Sequence, residues 1–192
     1  MKKFLYITFL FFVNSIVAQE ELVDYCYEPN SINEYQNKYF KDLNNNFLPF
    51  LGTWKFIEGN KTFVVTLWKV EHVSFNNVIT GTFKDQIFGD WEMIQNEGLP
   101  NEIVLYKSNQ HISNGNYYPP MITGGGSCDG LHFVSLILDN CIAGNNFKNG
   151  ILEFTLTSSN TAHWFIKPLK GMQIENSINF KIPTNIILTK VD

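Results

Sequence analysis

From Phe47 to the end of the chain, apolar and polar residues alternate in short runs, broken by Gly, Asn and Asp at intervals of about ten residues. That pattern admits little except an all-β fold, because residues two apart share one face of a strand whereas a helix needs a period near 3.6. The spacing predicts strands over 51–57, 62–70, 78–84, 86–94, 102–108, 131–138, 150–158, 161–167, 178–182 and 185–190. Glu58-Gly59-Asn60-Lys61 reads as the turn of an antiparallel hairpin.

Alternation also sorts the faces. Phe63, Val65 and Leu67 share one side of a strand, as do Ile87, Trp91 and Met93, and again Leu152, Phe154 and Leu156. Val64, Trp68, Val104, Tyr106 and Phe165 occupy the opposite faces, so the outer side is also partly apolar and calls for cover or a partner. Short connections and no helical run after residue 46 predict an antiparallel up-and-down β-barrel with about eight to ten strands, the alternative being a β-sandwich.

The chain begins with Lys2 and Lys3, an apolar run from Phe4 to Val13, and Val17-Ala18 before Gln19. This is the pattern of a signal peptide over residues 1–18, which predicts export to the periplasm or beyond. The apolar run, about ten residues, is too short for a stable membrane anchor, and no transmembrane segment is expected in the mature chain. Residues 19–46 form a leader rich in Asn, Glu, Tyr and Lys, with a short helix expected over Ile32 to Leu43, where Tyr35, Tyr39 and Leu43 recur every four residues. Residues 47–192 are then a single β domain.

Charge narrows the partners. The chain holds 14 lysines and no arginine. With Lys2 and Lys3 removed, 12 lysines face 18 acids, a net of −6. An acidic chain without arginine forks argues against nucleic acid.

An exported protein with Cys26, Cys128 and Cys141 should hold one disulfide. A strand over 131–138 spans roughly 26 Å, and the residues left between Cys128 and Cys141 reach at most about 16 Å, which disfavours that pair. Cys26 on its leader reaches either Cys128 or Cys141.

Motifs of chemistry are sparse. His72, His111, His132 and His163 lack the convergent spacing of a zinc site, and neither a metal nor a cofactor is expected. Ser127-Cys128-Asp129 after Gly124-Gly125-Gly126 lacks the contexts of a hydrolase elbow or a phosphate loop, and the glycines read as a turn within a long loop over 109–130. Asp90 and Glu92 straddle Trp91 about 6.6 Å apart along a strand, a spacing compatible with paired-carboxylate glycoside chemistry and equally with an exposed acidic face.

Gly52-Thr53-Trp54 at the opening of the first strand resembles the lipocalins and the wider calycin superfamily. That resemblance implies a structural Gly52, Trp54 closing one end of the barrel, and a cation from the last strand over its ring. Lys190 is the candidate, contributing about 0.5–1 kcal/mol. The chain more closely resembles a family of small secreted bacterial proteins described as a domain of unknown function. The likeness lies in Phe50-Leu51-Gly52-Thr53-Trp54, the Gly59-Asn60 turn with Phe63 and Lys69, Ile87-Phe88-Gly89, and the closing segment from Ile182 to Lys190. This second likeness implies no activity.

Three functions follow as expectations. The first is binding of a small apolar or amphipathic ligand inside the barrel, without catalysis, by Phe63, Val65, Leu67, Trp91, Met93, Phe154 and Trp164. The second is a β-sandwich module that recognises a protein or glycan through exposed aromatics, with Trp68, Trp91 and Trp164 as the tryptophan candidates for ligand contact. The third is hydrolysis by Asp90 and Glu92.

Overall fold

The computed structural model describes residues 20–74, 81–108, 121–139, 148–169 and 180–191. Eleven strands run in chain order: β1 (Glu21–Asp24), β2 (Lys38–Lys41), β3 (Gly52–Glu58), β4 (Lys61–Ser74), β5 (Phe83–Gln95), β6 (Ile103–Lys107), β7 (Ile122–Gly126), β8 (His132–Asp139), β9 (Lys148–Leu156), β10 (Thr161–Pro168) and β11 (Asn185–Lys190). Strands β3, β4, β5, β7, β8, β9, β10 and β11 pair antiparallel with their neighbours, and β11 returns to β3 through Thr189 opposite Lys55 and Lys190 opposite Trp54. The ring is closed, an eight-stranded up-and-down barrel rather than a sandwich. Closure satisfies the edge groups that an open sheet would leave exposed.

Along the edge of β5 opposite β4, three short strands take successive places. β2 pairs in parallel with Phe83 and Lys84, β7 pairs with Ile87 to Gly89, and β6 pairs with Glu92 to Gln95. β1 then lies parallel to β2, outside the ring. Among the described residues no helix is long and apolar enough to cross a membrane.

The interior is built from rings. Phe154 lies 5.0 Å from Trp54, 6.2 Å from Phe50, 6.4 Å from Phe133 and 6.5 Å from Trp164, mostly edge to face. Phe63 continues the chain of contacts to Trp164 at 5.4 Å and Trp91 at 6.3 Å. Such offsets set the positive edge of one ring against the negative face of the next.

Several expectations are corrected. The predicted helix over Ile32 to Leu43 is a 3-10 turn at Ile32–Tyr35 followed by β2. Ser31 makes no side-chain cap, Asn37 turns the chain with φ +54°, and pairing with β1 and β5 outweighs a weak local preference. The strand expected over 86–94 begins earlier, at Phe83, because Asp85 is drawn into β5 by buried hydrogen bonds; part of the 78–84 prediction lies outside the described residues. Phe180 to Ile182 form no strand, and the rest of the 178–182 prediction also lies outside the described residues.

Gly124, Gly125 and Gly126 are not a turn but the body of β7, and none of them has a positive φ. Their smallness serves close approach. A Cβ on Gly124 would meet the backbone of Val134 and Ser135 in β8, and one on Gly126 would lie 3.1 Å from Phe47 and 3.2 Å from Phe50. A Cβ on Gly125 would strike the Tyr25 hydroxyl. This bare strip lets the leader pack against the barrel.

The leader closes that end. Phe47 and Phe50 are fully buried, and the 3-10 turn Leu48–Phe50 brings the Phe50 carbonyl to accept the Trp54 indole N–H at 2.8 Å. Close by, Asp85 is 0 % exposed; its carboxylate accepts the Tyr39 hydroxyl at 2.5 Å, the Asp42 N–H at 3.0 Å and the His72 N–H at 3.4 Å, with Lys69 Nζ 3.7 Å away. The bulge between Val70 and Val73, where His72 takes φ +58°, supplies that last N–H. Asp42 in turn accepts the Asn46 and Phe47 N–H groups at 2.7 and 3.1 Å. Two buried carboxylates thus hold β2, the bulge and the plug in one network.

Burial, then the hydrogen bond to Asp85, push the Tyr39 hydroxyl well above the ordinary tyrosine range. The folded state therefore favours the protonated phenol. Its contribution is fully present below pH about 10, the unfolded value, and declines as pH rises beyond it. Tyr39→Phe should cost about 1.5–3 kcal/mol at neutral pH and flatten the alkaline fall in stability. Urea melts at pH 8 and pH 10.5 test this, and equal alkaline losses in both proteins would exclude the role.

Candidate functional site

On the outer wall, cross-strand pairing gathers a groove of about 240 Å³. Val64 stands opposite Glu92 and Thr66 opposite Asp90, while Lys107 stands opposite Glu92 on the other side of β5. Trp68 lies two residues beyond Thr66 on the same face of β4 and lines the groove with Ser108. Ser108 fixes the acid beside it: its hydroxyl donates to Asp90 Oδ1 at 3.0 Å and accepts the Trp91 N–H at 2.9 Å. The arrangement offers a half-buried indole, two carboxylates and an ammonium, a set suited to a ligand with both hydroxyls and an apolar face.

The residues expected to line an interior pocket are all interior. Phe63, Val65, Leu67, Trp91, Met93, Phe154 and Trp164 are each 8 % exposed or less, and they pack into one another. One polar atom there is unmatched: the buried Trp91 Nε1 has no hydrogen-bond partner among the described residues, whereas Trp164 Nε1 donates to the Pro183 carbonyl at 2.7 Å.

At the plugged end, Gly52 has φ +112° where the chain enters β3. Trp54 is fully buried, and Lys190 Nζ lies 5.3 Å from its ring centroid while donating to the Pro49 carbonyl at 3.1 Å. Cys26 is bonded to Cys128 across 102 residues, with Cα atoms 5.6 Å apart. Cys141, His111, residues 109–120 of the long loop and residues 1–18, where the sequence predicts a signal peptide, lie outside the described residues.

The other motifs have local partners. Ser127 donates to Asp129, which also accepts the Leu131 N–H at 2.9 Å, so this segment is a turn bound to itself with Cys128 in a disulfide. The hydrogen bond from Ser127, then that from Leu131, hold the Asp129 carboxyl below its usual range. His72 pairs with Glu20 at 2.7 Å, His132 with Thr155 at 3.2 Å and His163 with Asn185 at 2.7 Å. Among the described residues no three His, Cys, Asp or Glu side chains are grouped to hold a metal ion.

Sequence reasoning missed the Asp85 network and the strap over the glycines. Both depend on contacts between residues more than 40 positions apart, such as Tyr39 with Asp85, and no local spacing encodes them.

Fold and site together define a closed antiparallel β-barrel with an aromatic-filled interior, a plugged end and a polar groove on its wall. The chain belongs to DUF6705, a family of unknown function, whose model matches residues 1–191. No curated protein and no solved structure matches it at a significant level. Nothing in these comparisons ties it to the lipocalins.

Proposed function

We propose that this protein is an exported, non-catalytic binding module that holds a glycan in the groove formed by Trp68, Asp90, Glu92 and Lys107. The observation that carries the reading is the placing of an indole beside two carboxylates in one groove on the barrel wall. Sugar rings present apolar C–H faces that stack on indole, and their hydroxyls donate to carboxylates. Export accords with the residues of the signal peptide and with the Cys26–Cys128 bond, which persists in oxidising compartments.

Isothermal titration against a panel of neutral and amino-containing oligosaccharides tests the reading. Trp68→Ala should weaken the best ligand at least about tenfold, equivalent to roughly 1.4 kcal/mol, and Asp90→Asn should weaken it severalfold. A panel that binds nowhere, or binds equally well to Trp68→Ala, overturns it.

A second reading keeps the ligand inside. It is favoured by the unmatched Trp91 indole N–H, which a small apolar molecule with one acceptor would satisfy. Native mass spectrometry of protein isolated from its own compartment separates the two. A retained small molecule released by Trp91→Phe supports the interior site, and an empty barrel removes it.

A further inference from the structure

Residues 180–184 cross the mouth of the barrel opposite the plug. Strand β11 runs from Asn185 to Lys190, and Lys190 lies over Trp54 at the plugged end, so the segment before Asn185 sits at the other. It is held at four separate points. The Lys181 N–H donates to Asp139 of β8 at 2.6 Å, and the Lys181 carbonyl accepts the Tyr106 hydroxyl of β6 at 2.9 Å. The Pro183 carbonyl accepts the Trp164 indole N–H at 2.7 Å, and the Thr184 carbonyl accepts the Ile166 N–H at 2.8 Å. Between these anchors Ile182 is 2 % exposed and belongs to the same core cluster as Trp91. Phe180 covers Gly150, where an added Cβ would lie 3.0 Å from its ring. Tyr106 joins this cover to the unmatched indole, its ring meeting Trp91 edge to face at 6.2 Å.

We propose that residues 180–184 are a lid whose opening admits a small uncharged molecule with one hydrogen-bond acceptor to the Trp91 N–H, which rests on the interior-ligand reading above. Side chains of Asp139, Tyr106 and Trp164 supply three of the four anchors, so the segment can part from the wall without unzipping a ladder between strands. Ile182 then leaves the core, and the ligand takes the space it vacates. The indole N–H only donates, which selects an acceptor, and pairing a buried donor recovers the cost of leaving it unmade. The cluster around Trp91 is built of apolar and aromatic side chains, which turns ions away.

Hydrogen exchange of the indole N–H groups, followed by NMR, reads the lid with no ligand present. Trp91 and Trp164 should exchange through an opening that low urea does not accelerate, and Tyr106→Phe should speed both by about fivefold or more. Trp54, bonded to Phe50 at the plug, should exchange only by global unfolding. The same urea dependence for all three, or an equal gain at Trp54 in Tyr106→Phe, overturns the lid; the first comparison needs only the wild-type protein. Acetophenone and its isosteric hydrocarbon isopropylbenzene then test the ligand. Acetophenone should bind at least about tenfold more tightly, Trp91→Phe should erase that preference, and Tyr106→Phe should let acetophenone enter and leave faster by similar factors. Equal binding of the two compounds, or a preference surviving in Trp91→Phe, overturns the assigned ligand class. Binding of neither compound overturns it together with the interior reading, and exchange alone then decides the lid.

Discussion

Phe154→Ala should lower the unfolding free energy by about 3–5 kcal/mol, the range for deleting a buried aromatic ring whose surroundings relax only in part. Phe154 is fully buried and meets Phe50 of the plug, Trp54 of β3, Phe133 of β8 and Trp164 of β10. These four neighbours come from separate elements, so no single side chain can swing in to refill the space. Val134→Ala, half exposed on β8, is the control and should change stability by less than about 0.5 kcal/mol. Equilibrium unfolding in urea reads both. A loss below about 1 kcal/mol for Phe154→Ala would mean that the interior is loosely packed, and would favour a ligand space within the barrel.

Replacing both Cys26 and Cys128 by Ser should cost about 4 kcal/mol. The bond closes a loop of 102 residues, and restricting the unfolded chain over such a length is worth up to about 4.7 kcal/mol in the entropic account, with measured values more often about 2–4. Native contacts add to the effect. Tyr25, adjacent to Cys26, sets its ring edge-on to Phe47 at 4.7 Å, and Phe47 is fully buried in the barrel end. Loss of the tether should therefore loosen the strap before the barrel. Thermal melts of oxidised, reduced and Ser-substituted protein, with limited proteolysis of the leader, check this. An unchanged midpoint together with an uncleaved leader would show that packing alone holds the strap.

Legibility differed along the chain for physical reasons. Strands β3, β4, β8, β9, β10 and β11 fall close to their predicted spans because a half-buried strand writes its face into every second residue. The β7 strand carries no such signal, since three glycines have no side chain from which a face can be recognised. The β2 segment mimics a helix in sequence because Tyr35, Tyr39 and Leu43 keep a four-residue spacing, while its actual partners lie at 21–24 and 83–84. Of the groove, the Trp68, Asp90 and Glu92 side is legible in the sequence, whereas Lys107 and Ser108 join it only through the β5–β6 pairing.

Period-two alternation and turn spacing, acting locally, determined that this chain is all-β, antiparallel and apolar toward a shared interior. They favoured the barrel and left the sandwich as an alternative, because both bury one face of each strand. The tertiary structure alone decided closure, through Lys190 beside Trp54, and the meeting in the interior of rings from strands that are not neighbours in the sheet. It also decided the course of the leader, which runs where glycine side chains are missing and where two buried carboxylates find their donors. Those outcomes rest on contacts between distant residues, whose energies depend on three-dimensional fit rather than on neighbours in the sequence.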